Sequence, residues 1–312
     1  MKEVKPIKVY IITGFLGAGK TTILNSLLGQ MKDYRNIVIE NEFGKVNIDA
    51  SLIAEKIDHL YELTSGCICC SLDNDLMEVL GSILRLETRP DHVFIETTGI
   101  ADAGNIIGMF HMPDVKRHYI LESTICIADA ENVFERLQQV PETGKQIACA
   151  DVIIINKIKH LAVPQLIFLS QQLEQMNPLA YITTSTDGTV AFNTLQFPEK
   201  PLVPDVAMPP VKSPHKVNTV LFESTAAFDL NMLMFVLDFH CNAYPDQLYR
   251  IKGYIRVTGS NDRLLVQSTG RYLSILPAGH WEEETPKSTL VFIGKELKTA
   301  TIQRILAPAL KG

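Results

Sequence analysis

The sequence predicts an α/β fold built on a mostly parallel sheet, followed by a smaller α+β domain. Three observations predict it. Short β-branched runs alternate with helical patterns as far as about residue 190, the pattern of a parallel sheet with helices on both faces. A proline-rich stretch then interrupts all periodicity. The 312 residues are long enough for about two independent cores.

In chain order, Lys8–Thr13, Asn36–Glu40, His92–Thr97, Ser123–Asp129 and Asp151–Asn156 read as strands, each followed by a helical pattern. Sheets of this kind bind ligands beyond the carboxyl ends of their strands, where the polar motifs of this chain fall. Between Phe197 and Pro214 stand Pro198, Pro201, Pro204, Pro209, Pro210 and Pro214, a semi-extended linker. The expected organisation is therefore a first domain over residues 1–197, a linker over 198–214 and a second domain over 215–312. In the second domain Val217–Ser224 reads as a strand and Leu230–Cys241 as an apolar helix whose Met and Phe residues look like core. Strands near Tyr249–Thr258, Arg263–Ser268, Tyr272–Leu276 and Thr289–Gly294 follow, with a closing helix from Thr299.

Composition narrows the function. The chain is 46% hydrophobic and 21% charged, which excludes a mainly disordered or fibrous protein. Its formal charge is −6, and the balance argues against nucleic acid as the main partner, because phosphate backbones are held by clustered cations. Residues 1–214 carry 18 basic and 26 acidic side chains, residues 215–312 carry 11 and 9. No uninterrupted apolar run of about 18 residues occurs, so no membrane-spanning helix is expected. The run Val9–Ile12 is too short for a signal-peptide core and passes into a glycine loop. A cytoplasmic location is the expectation. The six cysteines agree with it: Cys67, Cys69 and Cys70 are too closely spaced for a disulfide framework, and Cys126, Cys149 and Cys241 sit in apolar contexts expected to be buried.

Gly14-Phe15-Leu16-Gly17-Ala18-Gly19-Lys20-Thr21-Thr22 fits G-x-x-x-x-G-K-[ST] between a predicted strand and a predicted helix, Thr22–Met31. This context predicts a phosphate loop and hence a P-loop NTPase domain. Backbone N–H groups of Gly14, Gly17, Ala18, Gly19 and Thr22 would surround the phosphates. Lys20 would reach the β/γ-phosphates and the Thr21 hydroxyl would ligate Mg²⁺. Further on, Glu96-Thr97-Thr98-Gly99 places a carboxylate and a glycine at the end of the strand His92–Thr97. Glu96 is positioned to order the Mg²⁺ water shell and the Gly99 N–H to sense the γ-phosphate.

Between these motifs lie Glu40-Asn41-Glu42-Phe43-Gly44 and Ser65-Gly66-Cys67-Ile68-Cys69-Cys70. Thiolates are the ligands that Zn²⁺ and similar ions prefer, and the three cysteines are close enough for two or three to converge on one ion. A helix start directly after them would lower their thiol pKa. Glu40 or Glu42 could complete such a site, and a buried turn or a redox pair are the other readings of the triplet.

Gly14–Thr22, Glu40–Gly44, Gly66–Cys70 and Glu96–Gly99 followed by Ile100-Ala101-Asp102, in this order, resemble the CobW-type P-loop metallochaperone GTPases. Arg250–Tyr254 and Leu290–Gly294 are similar to the carboxyl-terminal domain of that family. The resemblance implies GTP hydrolysis to GDP with Mg²⁺, coupled to handling of Zn²⁺ or Co²⁺ for a client metalloenzyme or cofactor pathway, and a nucleotide-dependent homodimer is compatible with it. Two positions depart from the family pattern. Lys45 stands where a second acid commonly follows Phe-Gly. Asn156-Lys157-Ile158-Lys159 replaces N-K-x-D, so Asn156 and Lys157 can hold the base while Lys159 offers only donors where a carboxylate would read guanine. A small-molecule kinase, or a metal-binding protein with a degenerate nucleotide site, would share parts of this pattern. The kinase has no use for the cysteines, and the binding protein would not turn nucleotide over.

Overall fold

The computed structural model describes residues 5–40, 59–62, 72–99, 102–195, 216–281 and 286–311. The expected linker lies outside these residues, as do Glu42, Cys67, Cys69 and Cys70. The chain divides into two compact units, residues 1–170 with 180–198, and residues 171–179 with 199–312.

The first unit is built on seven strands: β1 (Ile7–Thr13), β2 (Asn36–Glu40), β3 (His59–Glu62), β4 (His92–Glu96), β5 (Tyr119–Asp129), β6 (Val152–Asn156) and β7 (Tyr181–Thr184). Their order is β3-β2-β4-β1-β5-β6-β7. All neighbouring pairs are parallel. Among the described residues the connecting helices are α1 (Lys20–Gln30), α2 (Leu72–Ile83), α3 (Ala103–Met109), α4 (Pro113–Lys116), α5 (Val133–Gln139), α6 (Pro141–Cys149) and α7 (Val163–Met176), the last of which belongs to the second unit from Gln171 onward. Because both faces are covered, the central strands are apolar throughout rather than alternating. Successive side chains of β1 enter opposite cores. Val9 and Ile11 pack with Leu76, Leu80 and Ile106, whereas Tyr10 and Ile12 pack with Ile23, Leu24 and Leu27 of α1.

Strand β5 begins four residues before the expected Ser123. Its first half exposes Ile120 while burying Tyr119. The Tyr119 hydroxyl donates to the Leu80 carbonyl at 2.7 Å, and Glu122 pairs with Lys8 at 2.8 Å. That alternation hides the strand among polar residues. Strands β3 and β7, four residues each, are too short to show a period in the sequence.

The second unit holds β8 (Val217–Ser224), β9 (Ala227–Phe228), α8 (Leu230–Ala243), β10 (Leu248–Arg256), β11 (Asp262–Thr269), β12 (Tyr272–His280), β13 (Ser288–Lys295), α9 (Thr299–Leu306) and β14 (Leu310–Lys311). Its main sheet runs β12-β11-β10-β13-β8 with antiparallel neighbours. Phe222, Phe228, Leu233, Leu237, Ile251, Phe292 and Leu306 share one core. Asp229 caps α8, accepting from the Met232 N–H at 3.0 Å.

One expectation for α8 fails. Leu233, Val236, Leu237 and Cys241 are its buried residues, whereas Met232, Met234, Phe235 and Phe239 are exposed, Phe235 by 68%. A helix covering one face of a single sheet can turn only one stripe inward, and the four aliphatic and thiol side chains occupy it. Leu237→Ala should therefore cost about 2–5 kcal/mol, while Phe235→Ala should stay within about 0.5 kcal/mol. Denaturant unfolding followed by tryptophan fluorescence reports the second unit, since Trp281 is the only tryptophan. Equal midpoint shifts for the two variants would reverse this assignment.

Candidate nucleotide site

Strand β1 ends at Thr13 and α1 begins at Lys20, so residues 14–19 form the turn between them. Gly19 caps α1 in the left-handed region, with φ 97°, and a Cβ there would run into the Asn156 side-chain amide. Only glycine fits. The Ala18 N–H donates to the Phe15 carbonyl at 3.1 Å, tightening the loop. Lys20 is buried and its Nζ lies 3.4 Å from the Phe15 carbonyl.

Parallel pairing of β1 with β4 sets Ile12 beside Glu96. From there Glu96 Oε1 accepts the Thr21 hydroxyl proton at 2.8 Å. The Thr97 N–H donates to the Ile12 carbonyl at 2.9 Å, continuing the pairing past the strand end. The buried hydroxyls of Thr13 and Thr97 have no hydrogen-bond partner among the described residues. The Ala18 N–H, expected to face the phosphates, is instead spent within the loop. A glycine-rich turn opening a helix, a buried ammonium, a hydroxyl–carboxylate pair and two hydroxyls without partners among the described residues suit a polyphosphate with Mg²⁺. Gly99 approaches so closely that a Cβ would strike the Leu16 N–H. Its carbonyl accepts from Gln146 Nε2 at 3.2 Å.

On the other flank, Asn156 Nδ2 donates to the Ala18 carbonyl at 2.9 Å. Lys157 adopts a left-handed conformation with φ 61°, and its Nζ pairs with Asp129 Oδ2 at 2.9 Å. Burial pushes the Asp129 carboxyl up, but hydrogen bonds from Lys157, Asn132 and the Glu131 N–H outweigh it and hold the group below the ordinary range. Lys159 sits on the exposed turn Ile158–His160 and makes no hydrogen bond or ion pair among the described residues. The structure thus brings together Gly14–Thr22, Glu96, Gly99, Asn156 and Lys157. A cavity of about 160 Å³ adjoins the loop, lined among others by Phe15, Gly17, Asp129, Arg136 and Thr143. The Arg136 guanidinium lies 4.7 Å from the Phe15 ring centroid. Asp129, Arg136 and Gln146 were not singled out from the sequence, where a lone acid at a strand end was the only available signal.

Glu40 ends β2 in register with Glu96 and with Glu62 of β3. Glu42 and the cysteine triplet lie outside the described residues, and among the described residues no group of three or more His, Cys, Asp or Glu could hold a metal. As expected, Cys126, Cys149 and Cys241 are buried free thiols. Burial pushes Cys126 up to about 12 and Cys241 up to about 11. His240 Nδ1 is spent on the Val236 carbonyl at 2.8 Å.

A loop of this geometry at the centre of a parallel sheet, with Lys20 and Thr21 opening the helix and an acid ending the adjacent strand, defines a P-loop nucleotide-binding protein. The chain belongs to the CobW/HypB/UreG family: the model of that family's nucleotide-binding domain matches residues 8–184, and that of the cobalamin synthesis protein cobW C-terminal domain matches residues 217–310. It is 32% identical to the zinc chaperone YjiA of Escherichia coli, over 97% of this chain and 98% of that protein. It is 26% identical to the zinc chaperone CobW of Pseudomonas aeruginosa, over 99% and 93%. The crystal structure of the Zn(II)-bound YjiA GTPase from E. coli superposes with a TM-score of 0.77 at 28% identity, covering 99% of this chain and 100% of that one. No helix among the described residues is long and apolar enough to cross a membrane.

The exposed ammonium of Lys159 cannot accept the guanine N1–H or N2 protons. A charge-assisted hydrogen bond contributes about 1.5–3 kcal/mol. Lys159→Asp should therefore strengthen GDP binding about ten- to hundredfold and introduce a preference over IDP. Calorimetry with GDP, IDP and ADP checks this. A strong GDP-over-IDP preference in the unsubstituted protein would mean that another acceptor reads the base.

Proposed function

We propose that this protein is a Mg²⁺-dependent GTPase that binds Zn²⁺ through Cys67, Cys69 and Cys70, with Glu40 or Glu42, and couples its nucleotide state to transfer of the metal to a client protein. The observation that carries this reading is the Thr21–Glu96 pair beside the glycine loop, at 2.8 Å. Topology supports the coupling. Strand β2 ends at Glu40, directly before the acidic segment, and β3 ends at Glu62, five residues before Cys67. Both strands lie on the β4 side of β1, the side from which Glu96 comes. The relatives named zinc chaperones and the Zn(II)-bound GTPase support the same metal and nucleotide. A cytoplasmic location suits a site made of reduced thiols.

The reaction is attack of water on the γ-phosphorus, breaking its bond to the β–γ bridging oxygen and leaving GDP and inorganic phosphate. Lys20 would bind β- and γ-oxygens, and the Gly99 N–H would donate to the γ-phosphate as charge builds there. Thr21 and Glu96 fit Mg²⁺, which supplies charge neutralisation at the same oxygens when bound. Asn156 holds the loop at Ala18, and the stem of Lys157 would face the base.

Lys20→Ala should lower turnover by about 10² or more, as removal of other preorganised charge-stabilising groups does. Wild-type turnover in that variant would remove Lys20 from the reaction. Cys69→Ser should weaken Zn²⁺ binding about tenfold or more while sparing GDP affinity, because thiolates dominate the affinity for this ion. Anaerobic Co²⁺ titration, following thiolate-to-metal absorption with GDP or a non-hydrolysable GTP analogue, tests ligand type and coupling together. Unchanged Zn²⁺ affinity when all three cysteines are replaced by Ser would move the metal site elsewhere.

A further inference from the structure

The turn that follows Glu96 is pinned from one helix. Gln146 of α6 is fully buried, at 0% exposure, and its Nε2 donates to the Gly99 carbonyl at 3.2 Å. Its neighbour Lys145 pairs with Asp102 at 3.2 Å, and Asp102 in turn caps α3, accepting from the Gly104 N–H at 2.9 Å. Gly99 thus has its carbonyl fixed by α6 and its α-carbon pressed against Leu16 of the phosphate loop. Its buried N–H donates to nothing among the described residues. A residue whose carbonyl is tied, and whose N–H has no partner among the described residues beside the phosphate loop, is positioned for an anion.

We infer that Gln146 is a positioning residue for hydrolysis: through its hydrogen bond to the Gly99 carbonyl it sets the turn that offers the Gly99 N–H to the γ-phosphate. This rests on the GTPase reading. A diphosphate lacks the group that the turn meets, so Gln146 should matter for GTP and for turnover, and little for GDP. Lys145, one residue earlier, pairs with Asp102, three positions after Gly99. Helix α6 therefore contacts both Gly99 and Asp102, and a displacement of α6 would reach Gly99 through Gln146.

The test uses the full chain and its Gln146→Leu and Gln146→Glu variants. Gln146→Leu should lower kcat about tenfold or more and raise the GTP-analogue Kd, with GDP Kd within about twofold, the selective loss expected of a γ-phosphate contact that is made in the bound triphosphate and strengthens in the transition state. In Gln146→Glu a carboxylate cannot donate to the carbonyl, but the neutral acid can, and burial favours the neutral form. Its kcat relative to the unsubstituted protein should rise as pH falls from 8 to 6, whereas that of Gln146→Leu should stay level. The inference is overturned if the unsubstituted protein hydrolyses GTP and Gln146→Leu matches it, or if GDP affinity, thermal midpoint and kcat fall together with no pH rescue in Gln146→Glu. Absence of GTP turnover in the unsubstituted protein would instead defeat the GTPase reading itself, so the two failures are distinct.

Discussion

The hydrogen bond between Thr21 and Glu96 joins residues 75 positions apart, and much of the first unit is arranged so that it can form. It needs β1 and β4 adjacent, parallel and in a register that sets Ile12 beside Glu96. A slip of one residue would turn Glu96 to the opposite face and bury a carboxylate without a partner. The register is in turn held by two cores, one on each face, because Val9 and Ile11 cannot exchange with Tyr10 and Ile12 without emptying both. Packing of ordinary apolar side chains thus positions the chemistry at the strand ends.

The same sheet distributes the remaining duties by strand. Asn156, at the end of β6, reaches across to the Ala18 carbonyl, so β6 and the loop after β1 are held together. Gln146 connects α6 to the turn after β4. Each of these is a buried amide on a backbone carbonyl, a contact whose loss leaves a polar group unsatisfied in a low dielectric. Loss of either amide therefore costs stability as well as the position of the segment it holds.

Thiol chemistry is partitioned by burial. Cys126 and Cys241 are kept neutral by their surroundings, with pKa values of about 12 and 11, although Lys20 pulls the first of them down. A metal seeking thiolates at neutral pH therefore finds little competition from these two cysteines.

By itself the sequence determined the parallel α/β class, the phosphate loop, Glu96 and Gly99, because each carries a local signature: a β-branched run, a glycine spacing, an acid at a strand end. It also located most strands of the second unit to within a few residues. Four-residue strands such as β3 and β7 were not legible, since two periods of alternation are indistinguishable from chance. Nor was the inward stripe of α8, where Met and Phe look as apolar as Leu and Val, and only the single sheet beneath decides which side is buried. Tertiary structure alone paired Gln146 with Gly99, Lys157 with Asp129 and Arg136 with Phe15. These contacts join residues 28 to 121 positions apart, so no local pattern can announce them: the parallel pairing of β5 with β6 sets Lys157 near Asp129, and Arg136 of α5 and Gln146 of α6 meet Phe15 and Gly99 only in the folded first unit.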